Sequence, residues 1–175
     1  MSNRVFFVSL ISRDNRPLHI QEIEPLRGQE VLLSDRVDAE TGLKPEKPLP
    51  LEVDINEHLK YHFLSNMALD VFLSPLYTGE PGIPTLMFVQ DGVCVYGYET
   101  NTALKILVGT SEEIDHSFEY IFKSMHKIYL GLVVNPFQSN DTNELTINEK
   151  SMEVKIKNVI KTWRAKYAST QEERK

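Results

Sequence analysis

Residues 61–77 read YHFLSNMALDVFLSPLY. Any helix drawn through them is apolar on nearly every side, yet one carboxylate, Asp70, sits in the middle. At about 100° per residue, Leu59, Phe63, Met67 and Asp70 share one arc, and Leu64, Ala68 and Val71 continue it. Tyr61, Leu69, Phe72 and Leu73 fall on the far side, mixed with Ser65, His58 and His62. A helix lying on a sheet with water outside needs a single apolar stripe, and this one offers two. A buried, unpaired acid is costly, so Asp70 calls for an explanation. Either a loop or insertion of the chain covers the second side, or a partner protein does, since large exposed apolar patches mark interfaces. Asp54, with Glu57 three residues on, supplies a start of the capping-box kind. Pro75 ends the helix.

Upstream, Arg4 to Ser12 carries an almost unbroken apolar run, the pattern of a central strand covered on both faces. Arg13-Asp14-Asn15-Arg16 is turn-like. Pro17 to Ile23 follows as a strand in which Leu18 and Ile20 alternate with His19 and Gln21, predicting one wet face. Glu24 to Val53 carries Pro25, Pro45, Pro48 and Pro50 among many charges and reads as a surface insertion, with a short turn of structure around Val31-Leu32-Leu33. Downstream, Leu86–Gln90 and Val93–Glu99 flank Asp91-Gly92, a strong hairpin signal. Ala103–Gly109 pairs after the turn Thr100-Asn101-Thr102. A second helix is expected from Thr110 or Ser111, with Thr110 and Glu113 at capping-box spacing and an apolar stripe from Ile114 through Phe118, Phe122 and Met125 to Leu132. Asn135-Pro136-Phe137 stops it. A third helix begins around Ile147, with Met152, Ile156, Ile160 and Trp163 on its apolar face and lysines on the other. Residues 1–168 thus form one domain, and 169–175 form a frayed tail. The order β-β-α-β-β-β-α-α predicts an α+β, longin-like or profilin-like fold: a five-stranded antiparallel sheet with helices on its faces. The pattern leaves the neighbour of the second strand open.

Composition narrows the functional classes. Apolar residues make up 41% and charged residues 25%, ordinary for a soluble globular protein. The formal net charge of -6 argues against nucleic-acid binding. A single cysteine, Cys94, permits no internal disulfide and suits a reducing cytosol. It lies in a strand and reads as an inert core thiol. The N-terminal apolar run is too short to span a membrane and has no signal-type cleavage site. His58 and His62 stand four apart, but the glutamate of H-E-x-x-H is missing, so no metal is expected. G-x-S-x-G, P-loop and G-x-G-x-x-G motifs are absent, so no cofactor and no catalytic residue is assigned. An acid–base pairing of Asp70 with His62 or Asn66 is a distant alternative. Gly97, in an aromatic strand, marks a bulge or a close approach. The basic third helix could meet anionic lipid or an acidic partner, although a docked terminal helix with a solvated lysine face explains it as simply.

Two sets of residues resemble the sedlin family of TRAPP (transport protein particle) subunits. The first is Phe7-Val8-Ser9-Leu10-Ile11 with Asp14-Asn15-Arg16-Pro17-Leu18 and the run Leu59 to Phe72. The second is Val95 to Thr102 before Leu104-Lys105, and Phe122 to Tyr129 leading to Asn135-Pro136-Phe137; it points to the subunit-2-like branch. The resemblance implies a longin-like fold and a non-enzymatic role in vesicle traffic. Such a protein would act as an adaptor between core and large TRAPP subunits in ER–Golgi and intra-Golgi traffic. The whole particle would serve a Rab GTPase by nucleotide exchange. The protein would be cytoplasmic and peripheral at Golgi and ER–Golgi intermediate membranes. The family's aspartate in the first helix is matched by Asp70 and implicated in contact with a large subunit, so Asp70, Asn66, Phe63, Met67 and Leu59 are the expected partner-binding residues. The chain departs from the family at Glu24–Val53, where relatives have a shorter connection, and at Leu76–Pro84, which is lengthened. A longin-type regulator of a SNARE or coat adaptor is the alternative, although no SNARE-like heptad helix follows the domain.

Overall fold

A computed structural model of the chain describes residues 4–23, 55–111, 118–134 and 149–172; for 55–58, 149 and 167–172 the description is of the backbone alone. The elements run β1 (Val5–Ile11), β2 (Pro17–Glu22), α1 (Ile55–Leu73), β3 (Thr85–Gln90), β4 (Val93–Glu99), β5 (Lys105–Thr110), α2 (Glu119–Val133) and α3 (Glu149–Glu172). The strands form one antiparallel sheet in the order β2-β1-β5-β4-β3. The α+β plan read from the sequence is the observed one. β1, β4 and β5 fill the middle, which is why their apolar runs are nearly continuous: helices cover both faces.

Side chains alternate between two cores. Val8, Leu10, Tyr96, Ile106 and Val108 face α2 and α3, where they meet Phe122, Met125, Ile156 and Trp163. Aromatic rings knit that layer: Tyr96–Phe118 centroids are 4.7 Å apart and Tyr98–Phe122 5.2 Å. Phe7, Val93, Val95 and Leu107 face the other way, onto Tyr61, Leu64 and Ala68 of α1. Two glycines make room for aromatic rings on that side. A Cβ on Gly109 would clash with the edge of the Phe7 ring, whose partner is Tyr61 at 5.2 Å. A Cβ on Gly97 would lie 2.8 Å from Phe72 Cζ, so Gly97 marks a close approach.

The Asp91-Gly92 turn has φ of 50° and 75°, the left-handed pair that a two-residue hairpin needs. Lys60 reaches it from α1, with Nζ 3.4 Å from Asp91 Oδ2.

Two expectations are corrected. Gln21, read as solvent-facing, is 5% exposed, because α3 crosses β2 there and the Gln21 Nε2 donates to the Glu153 carbonyl at 3.2 Å. Thr110 does not cap the second helix. It ends β5, paired with Val5 on one side and Cys94 on the other. α2 begins at Glu119, and Phe118 before it supplies no side-chain cap. α3 runs to Glu172, so the first four residues of the expected frayed stretch have a helical backbone. The Glu24–Val53 insertion, the Asp54 cap, Glu113, Ile114, Asn135-Pro136-Phe137 and Ile147 lie outside the described residues.

Candidate protein-interaction face

α1 presents one side to the sheet and the opposite side to solvent. Tyr61, Leu64, Ser65 and Ala68 are buried. Ser65 Oγ and Ser9 Oγ of β1 share a hydrogen bond of 2.8 Å in the core, which fixes the helix's rotation over the sheet. Toward the C-terminal end Phe72 seats over Gly97 and stacks edge-on to Tyr77 at 5.1 Å. Burial raises the Tyr77 phenol above its ordinary value, the Thr85 hydroxyl opposes this through a hydrogen bond, and the Glu99 charge adds to the rise.

The outer side runs Leu59, Phe63, Asn66, Asp70 and Leu73, steps of four and three that keep one line on a helix. All five are exposed. Leu59, Phe63 and Leu73 are each more than half accessible, at 57%, 59% and 58%. Met67 flanks the line and is half-buried. The five residues singled out in the sequence therefore gather on or beside one solvent-facing line. The division between faces differs from the expected arc. Leu64 and Ala68 point into the sheet, because they lie roughly half a turn from the Leu59–Asp70 line at helical spacing. Asp70 is exposed, so the chain carries no desolvation cost for it. Among the described residues it makes no hydrogen bond or ion pair, and its oxygens are open to donors from outside.

Pattern reasoning missed the rest of the apolar surface. Leu73, expected on the far side, lies on the outer line, three residues from Asp70. Leu76 (86%), Ile83 and Val89 are also exposed. Val89 belongs to the edge strand β3 and is paired with Cys94, so it is exposed on the α2–α3 side of the sheet, away from α1.

Among the described residues, other candidate chemistry does not assemble. Cys94 is buried in β4. His62 is half-buried, and the His58 side chain is outside the description. Among the described residues no group of three or more His, Cys, Asp or Glu could hold a metal ion. No helix among them is long and apolar enough to cross a membrane.

Comparison with known proteins fits this architecture. The chain is 29% identical over 169 residues to the TRAPP-associated protein TCA17 of Saccharomyces cerevisiae, covering 89% of this chain and 93% of that protein. It is 26% identical over 137 residues to the trafficking protein particle complex subunit 2-like protein of Dictyostelium discoideum, covering 77% of this chain and 82% of that one. The family model described as Sedlin matches residues 10–162, from β1 to the last buried turn of α3, and the chain belongs to the sedlin family.

Proposed function

We propose that this protein is a non-catalytic subunit of a TRAPP vesicle-tethering complex, joining other subunits through the outer face of α1. The observation that carries the reading is a well-anchored helix whose solvent side holds Leu59, Phe63 and Leu73 around Asp70. Exposed apolar side chains at this density on an ordered helix suit a permanent partner. Asp70 would then be desolvated on assembly and needs donors from the partner, which makes it a specificity element: a charge-assisted hydrogen bond if matched, a penalty if not. Asn66 beside it offers both a donor and an acceptor. The names of the two relatives, one TRAPP-associated and one a trafficking-particle subunit, support the choice of complex. In this reading the subunit bridges core and large subunits in ER–Golgi and intra-Golgi traffic. Rab nucleotide exchange belongs to the whole particle, and residence at Golgi membranes is peripheral and through the complex.

Affinity purification of the tagged full chain, followed by mass spectrometry, tests the assignment. Recovery of core and large TRAPP subunits is the expected result. Recovery of a SNARE or coat-adaptor subunit without TRAPP subunits would replace this reading with that of a longin-type regulator.

A further inference from the structure

We infer that the outer face of α3 is a docking surface for an anionic membrane. From Lys150 to Lys166 the helix carries five lysines and Arg164 against one acid, Glu153, in a chain whose net charge is -6. This stretch therefore carries a net positive charge in a chain that is acidic overall. Lys150, Lys155, Lys157 and Lys161 are exposed, and among the described residues none of the four makes an ion pair. Glu153 is half-buried, so the exposed side chains of this stretch include no acid. The lysines flank an outward ridge of Val154, Asn158 and Ala165 on both sides, over about 24 Å of helix. A flat surface approaching that ridge meets cations from end to end.

The occupant follows from the kind of charge. A shaped acidic site on a protein is best matched by arginine forks, whereas lysines are flexible point charges suited to a fluid, delocalised anion layer. The apolar stripe of α3, Met152, Ile156, Ile160 and Trp163, is spent in the core, so the helix rests on headgroups and does not insert. The contact is then electrostatic and screened by salt. α3 and α1 lie on opposite faces of the sheet. With α3 toward lipid, the Leu59–Asp70 line is turned away from the membrane and stays open to protein partners. The inference needs only the charge distribution and does not rest on the tethering assignment.

Vesicle flotation of the purified full chain tests it, using phosphatidylcholine alone and phosphatidylcholine with about one-third phosphatidylserine. Binding is expected only to the anionic vesicles, at low salt, declining as salt is raised. A lysine close to such a surface contributes roughly fivefold in partitioning, so Lys157→Gln/Lys161→Gln predicts a loss of about twenty-five-fold. Lys157→Arg/Lys161→Arg keeps the charge and should retain binding. Arg13→Gln/Arg16→Gln removes the same charge from the exposed β1–β2 turn and should change binding little. Absence of binding to anionic vesicles at low salt overturns the inference, as does an equal loss in the Arg13/Arg16 variant. Capture of the chain by soluble polyglutamate without vesicle binding overturns it too, and assigns the face to an acidic protein segment.

Discussion

Phe63 and Leu64 are adjacent in sequence, and the fold assigns them opposite roles. Leu64 has no accessible surface and packs among Phe7, Val95 and Leu107. Leu64→Ala removes its buried methyl groups and leaves a cavity that neighbouring side chains only partly fill, at about 3–4 kcal/mol. For a chain of this length, each kcal/mol lowers the midpoint by about 2–4 °C, so the expected fall is about 6–16 °C. Phe63 is 59% exposed and retains about two-fifths of its area in contact with the chain. Full burial of such a side chain is worth about 1.5–3 kcal/mol, so Phe63→Ala should cost about 1 kcal/mol or less. Urea and thermal unfolding followed by far-ultraviolet circular dichroism measure both. Equal losses for the two variants would refute the reasoning, because they would mean that the outer side of α1 is covered within the folded chain itself.

Three further outcomes follow from the core. Ser65→Ala strands the Ser9 hydroxyl and should cost about 1–3 kcal/mol, with Ser9→Ala/Ser65→Ala losing less than the sum of the two singles in urea unfolding. Gly109→Ala should destabilise by about 1–3 kcal/mol by displacing the Phe7 ring, and substituting Phe7 with Leu in the same chain should recover part of that loss. The Tyr77 phenol is raised in the fold, so the folded state holds its proton more tightly than the unfolded state. That contribution is complete below pH 10 and is lost as pH rises through the higher folded value. Stability measured from pH 9 upward should therefore fall more steeply in the native sequence than in Tyr77→Phe.

Where local chemistry settles local structure, the sequence was readable. The run Val5–Ile11 announced a strand covered on both faces, and all seven residues are buried. Asp91-Gly92 announced its hairpin because few other pairs tolerate two left-handed residues. What pattern could not supply was long-range. β1 pairs with β5, nearly a hundred residues away, and no periodicity within either strand specifies that partner. Gln21 looked wet because its burial depends on α3, an element more than 120 residues later, arriving with a carbonyl to accept its amide. Thr110 and Glu113 had capping-box spacing, but Thr110 is held at the end of β5 by ladders on both sides, and that pairing overrides a local cap signal. The first helix shows both outcomes. Its two apolar sides were legible. The split between Phe63 and Leu64 was not, because two apolar neighbours carry no label for which one meets the sheet. Asp70 looked costly until its place on the exposed line removed the cost.

The claim that the outer face of α1 joins this subunit to a TRAPP complex is tested most directly by quantitative co-purification of Asp70→Tyr against the native chain. The unfolding midpoint of each purified chain should be measured alongside. The account predicts an unchanged midpoint, since Asp70 is exposed and unengaged within the described residues, together with a drop of about tenfold or more in at least one TRAPP subunit. Retention of every subunit at native levels, or a variant that fails to fold, would contradict it.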